Sequence, residues 1–201
     1  LRIVTIAELI EFRLQTEWLV EQTACASVPT LDFGNFEAHV FRSLVDGSEH
    51  LALVRGRPVP DVPTLCRVQS PCRTGDVFGV TLCDCGMELR SSLRRIDQEG
   101  CGVFLYILRE RGSLTEKVAG YTRGTVPDSL EEDHHRKGAM GFREFGLGAQ
   151  ILRSLGLKRI RLLTNHPTRL VGVAAHGLEI VETIPLVLQQ SRESAVESAA
   201  Q

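Results

Sequence analysis

Apolar positions near the start of the chain recur at helical spacing. Leu9, Ile10, Leu14, Trp18 and Leu19 share a face if residues Ile6 to Thr23 coil. The pattern predicts an amphipathic helix serving packing or dimer contact, ended by Pro29 and the Asp32-Phe33-Gly34 turn. The period then changes. Asn35 to Arg42, His50 to Arg55 and Thr64 to Ser70 alternate in polarity or are rich in β-formers, which predicts strands. Gly47 and the stretch 56–63, with Pro58, Pro60 and Pro63, mark the connections.

Farther along, Met87 to Glu99 reads as a helix closed by Gly100, and Gly102 to Leu108 as a short apolar strand. Residues Glu110 to Gly138 read as polar, charged and irregular, either a solvated loop or an active-site lid. The C-terminal part alternates: Ala149 to Leu155 helix, Arg159 to Leu163 strand, Arg169 to His176 helix, Glu179 to Glu182 strand. A sheet-rich first half and an α/β second half predict one α+β domain. Its expected limits are 28–187, after a helical extension at 1–27 and before a small, polar, disordered tail at 188–201.

The net charge of -2 gives no pull toward nucleic acid or anionic membrane, so an anionic ligand needs a local basic site. No basic stripe with interleaved aromatics is present, which argues against a nucleic-acid-binding zinc module. No apolar run reaches the roughly 20 residues of a membrane span. Residues 1–20 show no secretory apolar core, so the expected location is cytoplasmic.

Of six cysteines, Cys72, Cys83 and Cys85 cluster within fourteen residues. Cys83 and Cys85 are too close for a comfortable mutual disulfide, and a chain of this length can build a core without one. A metal site and buried free thiols both remain open. Three thiolates would leave a fourth zinc position for water, as catalytic sites do. Cys66, six residues before, or Cys101, sixteen after, would instead close a structural site.

The segment Arg67-Val68-Gln69-Ser70-Pro71-Cys72-Arg73-Thr74-Gly75-Asp76, followed by Cys83-Asp84-Cys85-Gly86, resembles the zinc segment of GTP cyclohydrolase II, R-V-H-S-E-C-x-T-G-D and C-D-C-G. His50-Leu51-Ala52-Leu53-Val54, Phe145 to Leu152, Arg161 to Asn165, and Gly177 to Glu182 with Pro185-Leu186 extend the likeness over roughly 28–187. The resemblance implies a mixed, mainly antiparallel sheet flanked by helices. It further implies one zinc ion per chain held by Cys72, Cys83 and Cys85, a homodimer, and hydrolytic opening of the guanine imidazole ring of GTP. Tyr121 matches the family tyrosine near the reacting ring. Arg143 matches the arginine near the α-phosphate, a nucleophile in the family proposal and a bidentate phosphate clamp on general grounds. Arg67, Ser70, Glu88, Glu110, Thr164 and Arg169 would bind the nucleotide. Magnesium would arrive with a triphosphate, on water and phosphate ligands.

The chain also departs from the family pattern. Gly141 stands where the family has an aspartate, two positions before Arg143, and glycine transfers no proton. Glu144 and Asp133 are the nearby acids that would substitute. Glu110-Arg111-Gly112-Ser113-Leu114 replaces the phosphate loop E-G-R-x-I-G-L, and Gln69 and Pro71 replace a histidine and a glutamate. Retained thiols with altered recognition predict either a specialised ring-opening hydrolase or a catalytically impaired zinc protein that binds nucleotide. For Tyr121, Thr164 and Asn165 there are plainer roles too: a half-buried phenol, and a strand-to-helix turn with a capping side chain.

Overall fold

Seven segments become strands, with β-branched or aromatic residues in each, and these join in one seven-stranded sheet in a computed structural model of the chain. Residues 5, 8–9, 12–13, 16–108, 113–122, 140–165 and 177–186 are described, with backbone alone for 140–145. The strands are β1 (Val20–Thr30), β2 (Gly34–Ser43), β3 (Glu49–Arg55), β4 (Thr64–Gln69), β5 (Gly102–Tyr106), β6 (Arg159–Leu163) and β7 (Glu179–Ile184). Their spatial order is β1-β2-β3-β5-β4-β6-β7. From β1 to β5 the pairings are antiparallel; from β5 through β4 and β6 to β7 they are parallel. The sheet is therefore mixed, with the two kinds of pairing equally represented among the described residues.

The predicted strands at 35–42, 50–55, 64–70, 102–108, 159–163 and 179–182 are all found, with ends shifted by a few residues. The N-terminal helix needs correcting. Helical residues end by Thr16, and Val20 already pairs with Ser43 as the first rung of β1. A ladder from that rung to Thr30 and Gly34 outweighs the helical spacing of Trp18 and Leu19. Pro29 does not end the segment. It sits within β1, which lies at the sheet edge, where a missing N–H costs no ladder bond. The turn at 31–33 does stand where expected. Thr30 Oγ1 donates to Gly34 O at 2.7 Å and accepts from Phe33 N at 3.1 Å, and Gly34 takes φ 75°.

Helix α1 (Cys85–Glu99) covers one sheet face and α3 (Met140–Ser154) the other, with the short α2 (Leu114–Thr122) between them in sequence. On the α1 side, Leu93 and Ile96 pack with Phe33, Phe36, Leu65, Phe104 and Leu163. On the α3 side, Leu147, Ile151 and Leu152 pack with Phe41, Val54, Cys66, Val103 and Leu105. Gly100 closes α1 in the left-handed conformation at φ 75°. Helix α2 falls inside a stretch expected to be irregular. Its start is a capping box: Ser113 Oγ accepts from Glu116 N at 3.0 Å and Glu116 Oε2 accepts from Ser113 N at 3.2 Å. The helix expected at 169–176 and the tail lie outside the described residues. No helix among the described residues is long and apolar enough to cross a membrane.

The pleat of β4 sorts chemistry from packing. Leu65, Arg67 and Gln69 point toward the α1 face, while Cys66 points into the opposite core and is fully buried. Burial pushes the Cys66 thiol up to about 12. It should therefore resist Ellman's reagent at about pH 8 until the protein unfolds, whereas the exposed Cys25 reacts in the folded state. Prompt labelling of Cys66 in folded protein, read by peptide mass mapping, would contradict this placement.

Candidate functional site

The parallel strands β4, β5 and β6 end at a common edge, the usual place for a ligand crevice in such sheets. Just past β4 the chain tightens into a π-type turn, Arg73–Val77, with Cys72 at its start. Asp76 N donates to Cys72 O at 2.7 Å, and Gly75 N donates to Cys72 Sγ at 3.2 Å. The loop then returns so that Cys83 and Cys85 meet Cys72. All three sulfurs lie within 4.8 Å of one another, and Cys72 and Cys83 are 3.8 Å apart. Two sulfurs bound to a tetrahedral zinc at about 2.3 Å each stand about 3.8 Å apart. Donor chemistry and spacing both fit a zinc ion.

Glycine makes this convergence feasible. A Cβ on Gly75 would lie 3.0 Å from Cys83 Sγ and 3.1 Å from Cys72 Sγ. A Cβ on Gly86 would lie 2.2 Å from Gly75 O. The turn and the first residues of α1 are thus in backbone contact. Cys85 opens α1, where the helix dipole favours a thiolate.

Among the described residues the cluster has these three members and no fourth histidine, cysteine or carboxylate. Cys66 faces the other core. Cys101 precedes Gly102 at the start of β5, whereas the cluster lies at the end of the parallel strands.

Polar side chains brace the turn. Asp76 accepts from Cys72 N at 2.8 Å, from Tyr106 Oη at 2.6 Å and from Gln69 Nε2 at 3.1 Å. Gln69 Nε2 also donates to Cys85 O at 3.1 Å, so it ties the turn to α1. Burial raises the Asp76 carboxyl above its ordinary range despite these donors. Burial and then the Asp76 contact push the Tyr106 phenol up, so it stays a donor.

From α2, Lys117 and Tyr121 reach the cluster together, as residues one helical turn apart do. Lys117 Nζ donates to Cys72 Sγ at 2.7 Å. Tyr121 Oη is 2.6 Å from Thr74 Oγ1 and 4.0 Å from Cys83 Sγ. Hydrogen bonds from Cys83 and Cys85, then from Lys117 and Thr74, hold the Cys72 thiol far below the usual range against the cost of burial. The contact with Cys72, and burial, push Cys83 and Cys85 up. Burial opposes the Lys117 ammonium, but the Cys72 contact prevails and raises its pKa.

Beside the cluster lies a buried ion pair. Arg67 Nη2 donates to Glu88 Oε2 at 2.7 Å and Nη1 to Leu163 O at 3.1 Å. Asn165 Nδ2 donates to the other Glu88 oxygen at 3.2 Å, and Asn165 Oδ1 accepts from Leu186 N at 2.8 Å. Arg67, Glu88 and Asn165 thereby lock β4, α1 and the end of β6 together. Thr164 follows β6, its N–H donating to Ile184 O at 3.0 Å. Ser70 follows β4 directly and is half-buried.

The structure therefore brings Cys72, Cys83, Cys85 and Tyr121 together, with Arg67 and Glu88 paired at the adjoining strand ends. Glu110, Asp133 and Arg169 lie outside the described residues. The backbone of Gly141, Arg143 and Glu144 is in the first turns of α3, and their side chains are not described. Lys117, Asp76, Tyr106 and Thr74 were not singled out from sequence. The Ser113-x-x-Glu116 cap was the available signal for α2, and Lys117 then shares a face with Tyr121.

Comparison with known proteins supplies the context. Residues 21–185 match the family model of GTP cyclohydrolase II. Riboflavin biosynthesis protein RibBA of Parabacteroides distasonis is 42% identical over 189 residues, covering 92% of this chain and 46% of that protein. RibBA of Bacillus cereus (strain ATCC 14579) is 41% identical over 197 residues, covering 96% and 49%. The bifunctional riboflavin biosynthesis protein RIBA 1, chloroplastic, of Arabidopsis thaliana is 38% identical, covering 96% and 36%. The chain thus spans half the length or less of these relatives. A solved structure of RibBX, a two domain 3,4-dihydroxy-2-butanone 4-phosphate synthase from A. baumannii, shares the fold. Its TM-score is 0.58 at 23% identity, over 92% of this chain and 45% of that one.

Proposed function

The chain belongs to the GTP cyclohydrolase II family, and from that premise we propose that it is a zinc-dependent hydrolase opening the imidazole ring of GTP or a related purine nucleotide. The carrying observation is a three-cysteine cluster with no fourth protein ligand among the described residues, beside the Tyr121 phenol at the strand edge. Cys72, Cys83 and Cys85 would hold the ion. Zinc bound this way supplies a Lewis acid and lowers the pKa of a bound water toward neutrality.

The chain's own groups do the rest. Tyr121, kept protonated chiefly by burial, offers its hydroxyl to a ring nitrogen or to water. Arg143 binds the α-phosphate region. Arg67, Ser70, Glu88, Glu110, Thr164 and Arg169 form the nucleotide site, with the Arg67–Glu88 pair fixing the edge the others extend. Magnesium accompanies the triphosphate, and the working unit is a homodimer. Gly141, Gln69 and Pro71 set the product and pathway apart from those of the standard family pattern.

The test is a mass-spectrometric assay of zinc-loaded protein with GTP and magnesium, following formate and nucleotide products. A ring-opened nucleotide, with or without its formyl group, is the expected result. Unchanged GTP would remove GTP as substrate. Tight zinc and nucleotide binding without turnover over a nucleotide panel would favour the non-catalytic binding role that Gly141 suggests. Tyr121→Phe should lower turnover by about 100-fold or more while leaving bound zinc unchanged. Wild-type turnover in that variant would remove the phenol from the chemistry.

A further inference from the structure

We infer that Lys117 is a positioning residue for the metal centre: its ammonium serves as the fixed counter-charge of the cysteine cluster and tempers the sulfur of Cys72 as a donor. This rests on the zinc reading of the cluster. Lys117 Nζ donates to Cys72 Sγ at 2.7 Å, a short contact for a nitrogen donor to sulfur. Thr74 Oγ1 lies 3.5 Å from the same sulfur, and Gly75 N donates to it at 3.2 Å. Among the described residues Cys72 is thus the most heavily hydrogen-bonded of the three sulfurs, and Lys117 brings it a full positive charge.

Charge balance explains what the contact does. Three thiolates outweigh a divalent cation by one negative charge, and the ammonium cancels that excess. A thiolate that accepts a charged hydrogen bond gives less electron density to its metal. The centre then stays a stronger Lewis acid than three unscreened thiolates would leave it. Outer partners of this kind orient and tune metal ligands. The geometry is one helical turn's work, because Lys117 reaches Cys72 while Tyr121 reaches Thr74 from the same face of α2. A charge run at the start of this segment would suggest only a solvated surface, yet Lys117 is half-buried.

Cobalt(II) substitution reads the effect without turnover. Wild-type protein, Lys117→Gln and Lys117→Arg are loaded with cobalt, and the sulfur-to-cobalt charge-transfer bands are recorded. Lys117 stands on a largely exposed helix, so the variants should keep the fold, which far-UV circular dichroism checks. Replacing the charged donor with a neutral amide makes Cys72 easier to oxidise optically, so the K117Q band is expected at longer wavelength. K117R, which retains a charged donor, is expected to return most of the way to wild type. A K117Q spectrum superposable on wild type would overturn the inference and leave the zinc reading standing. So would unchanged spectra accompanied by weaker nucleotide binding, which would assign Lys117 to the ligand. Wild-type protein that gives no tetrahedral cobalt spectrum would overturn both.

Discussion

Gly86→Ala is expected to weaken zinc binding sharply. A Cβ at position 86 meets Gly75 O at 2.2 Å and Gly75 C at 2.8 Å, and both are backbone atoms without a rotamer to retreat into. Relief requires the Arg73–Val77 turn to move off the start of α1. These two segments carry Cys72 and Cys85, so the sulfurs separate as the clash is relieved. Overpacking of this kind costs about 1–3 kcal/mol of stability. Metal affinity should fall by about 100-fold, the upper end for perturbations just outside a ligand set. Zinc content by elemental mass spectrometry and competition with a chromophoric chelator measure it. Wild-type zinc content together with wild-type stability would show that turn and helix are not in contact in solution.

Arg67→Met should be the most damaging single change away from the sulfurs. Both members of the Arg67–Glu88 pair are largely shielded, with side-chain exposures of 9% and 15%. Removing the guanidinium leaves the carboxylate with the Asn165 amide and no cation among its described partners. Stranding one charge of a buried pair costs about 3–5 kcal/mol. Glu88→Gln should cost less, because Arg67 retains Leu163 O and Gln69 Oε1 as acceptors. The double variant should lose less stability than the two singles summed, since neither charge is then stranded. Urea unfolding of the four proteins decides it. Additive losses would mean that the two groups stabilise the fold independently.

Much of this was legible in the chain. Alternation, β-forming composition, short apolar runs and the succession of helices and strands placed six of the strands, and Gly100 marked the end of α1, because local patterning and tertiary packing agree there. At the N-terminus they conflict. Leu19 and Val20 are buried, as a helix would also allow, and only the partner strand β2 decides in favour of β1. The three cysteines were legible from spacing and motif. Spacing left Cys66 and Cys101 open as a fourth ligand, and only the family resemblance favoured the open cluster, because the choice depends on where the folded sheet turns each side chain. Asp76, Tyr106 and Gln69 meet through segments more than thirty residues apart at the extremes, and no local pattern reports such a meeting. Lys117 was hidden in a polar stretch whose capping box defined a helix.

The alternation along β4 also limits how this site can diverge. Cys66 lies in a dry apolar layer, and Arg67, its immediate neighbour, lies in the polar one. Insertion or deletion of a single residue there would exchange the two layers, sinking a guanidinium into hydrocarbon and delivering a thiol to the polar layer. Variation in this segment is therefore confined to swaps that keep residue parity, and the glutamine at position 69 and the proline at position 71 are both changes of that permitted kind.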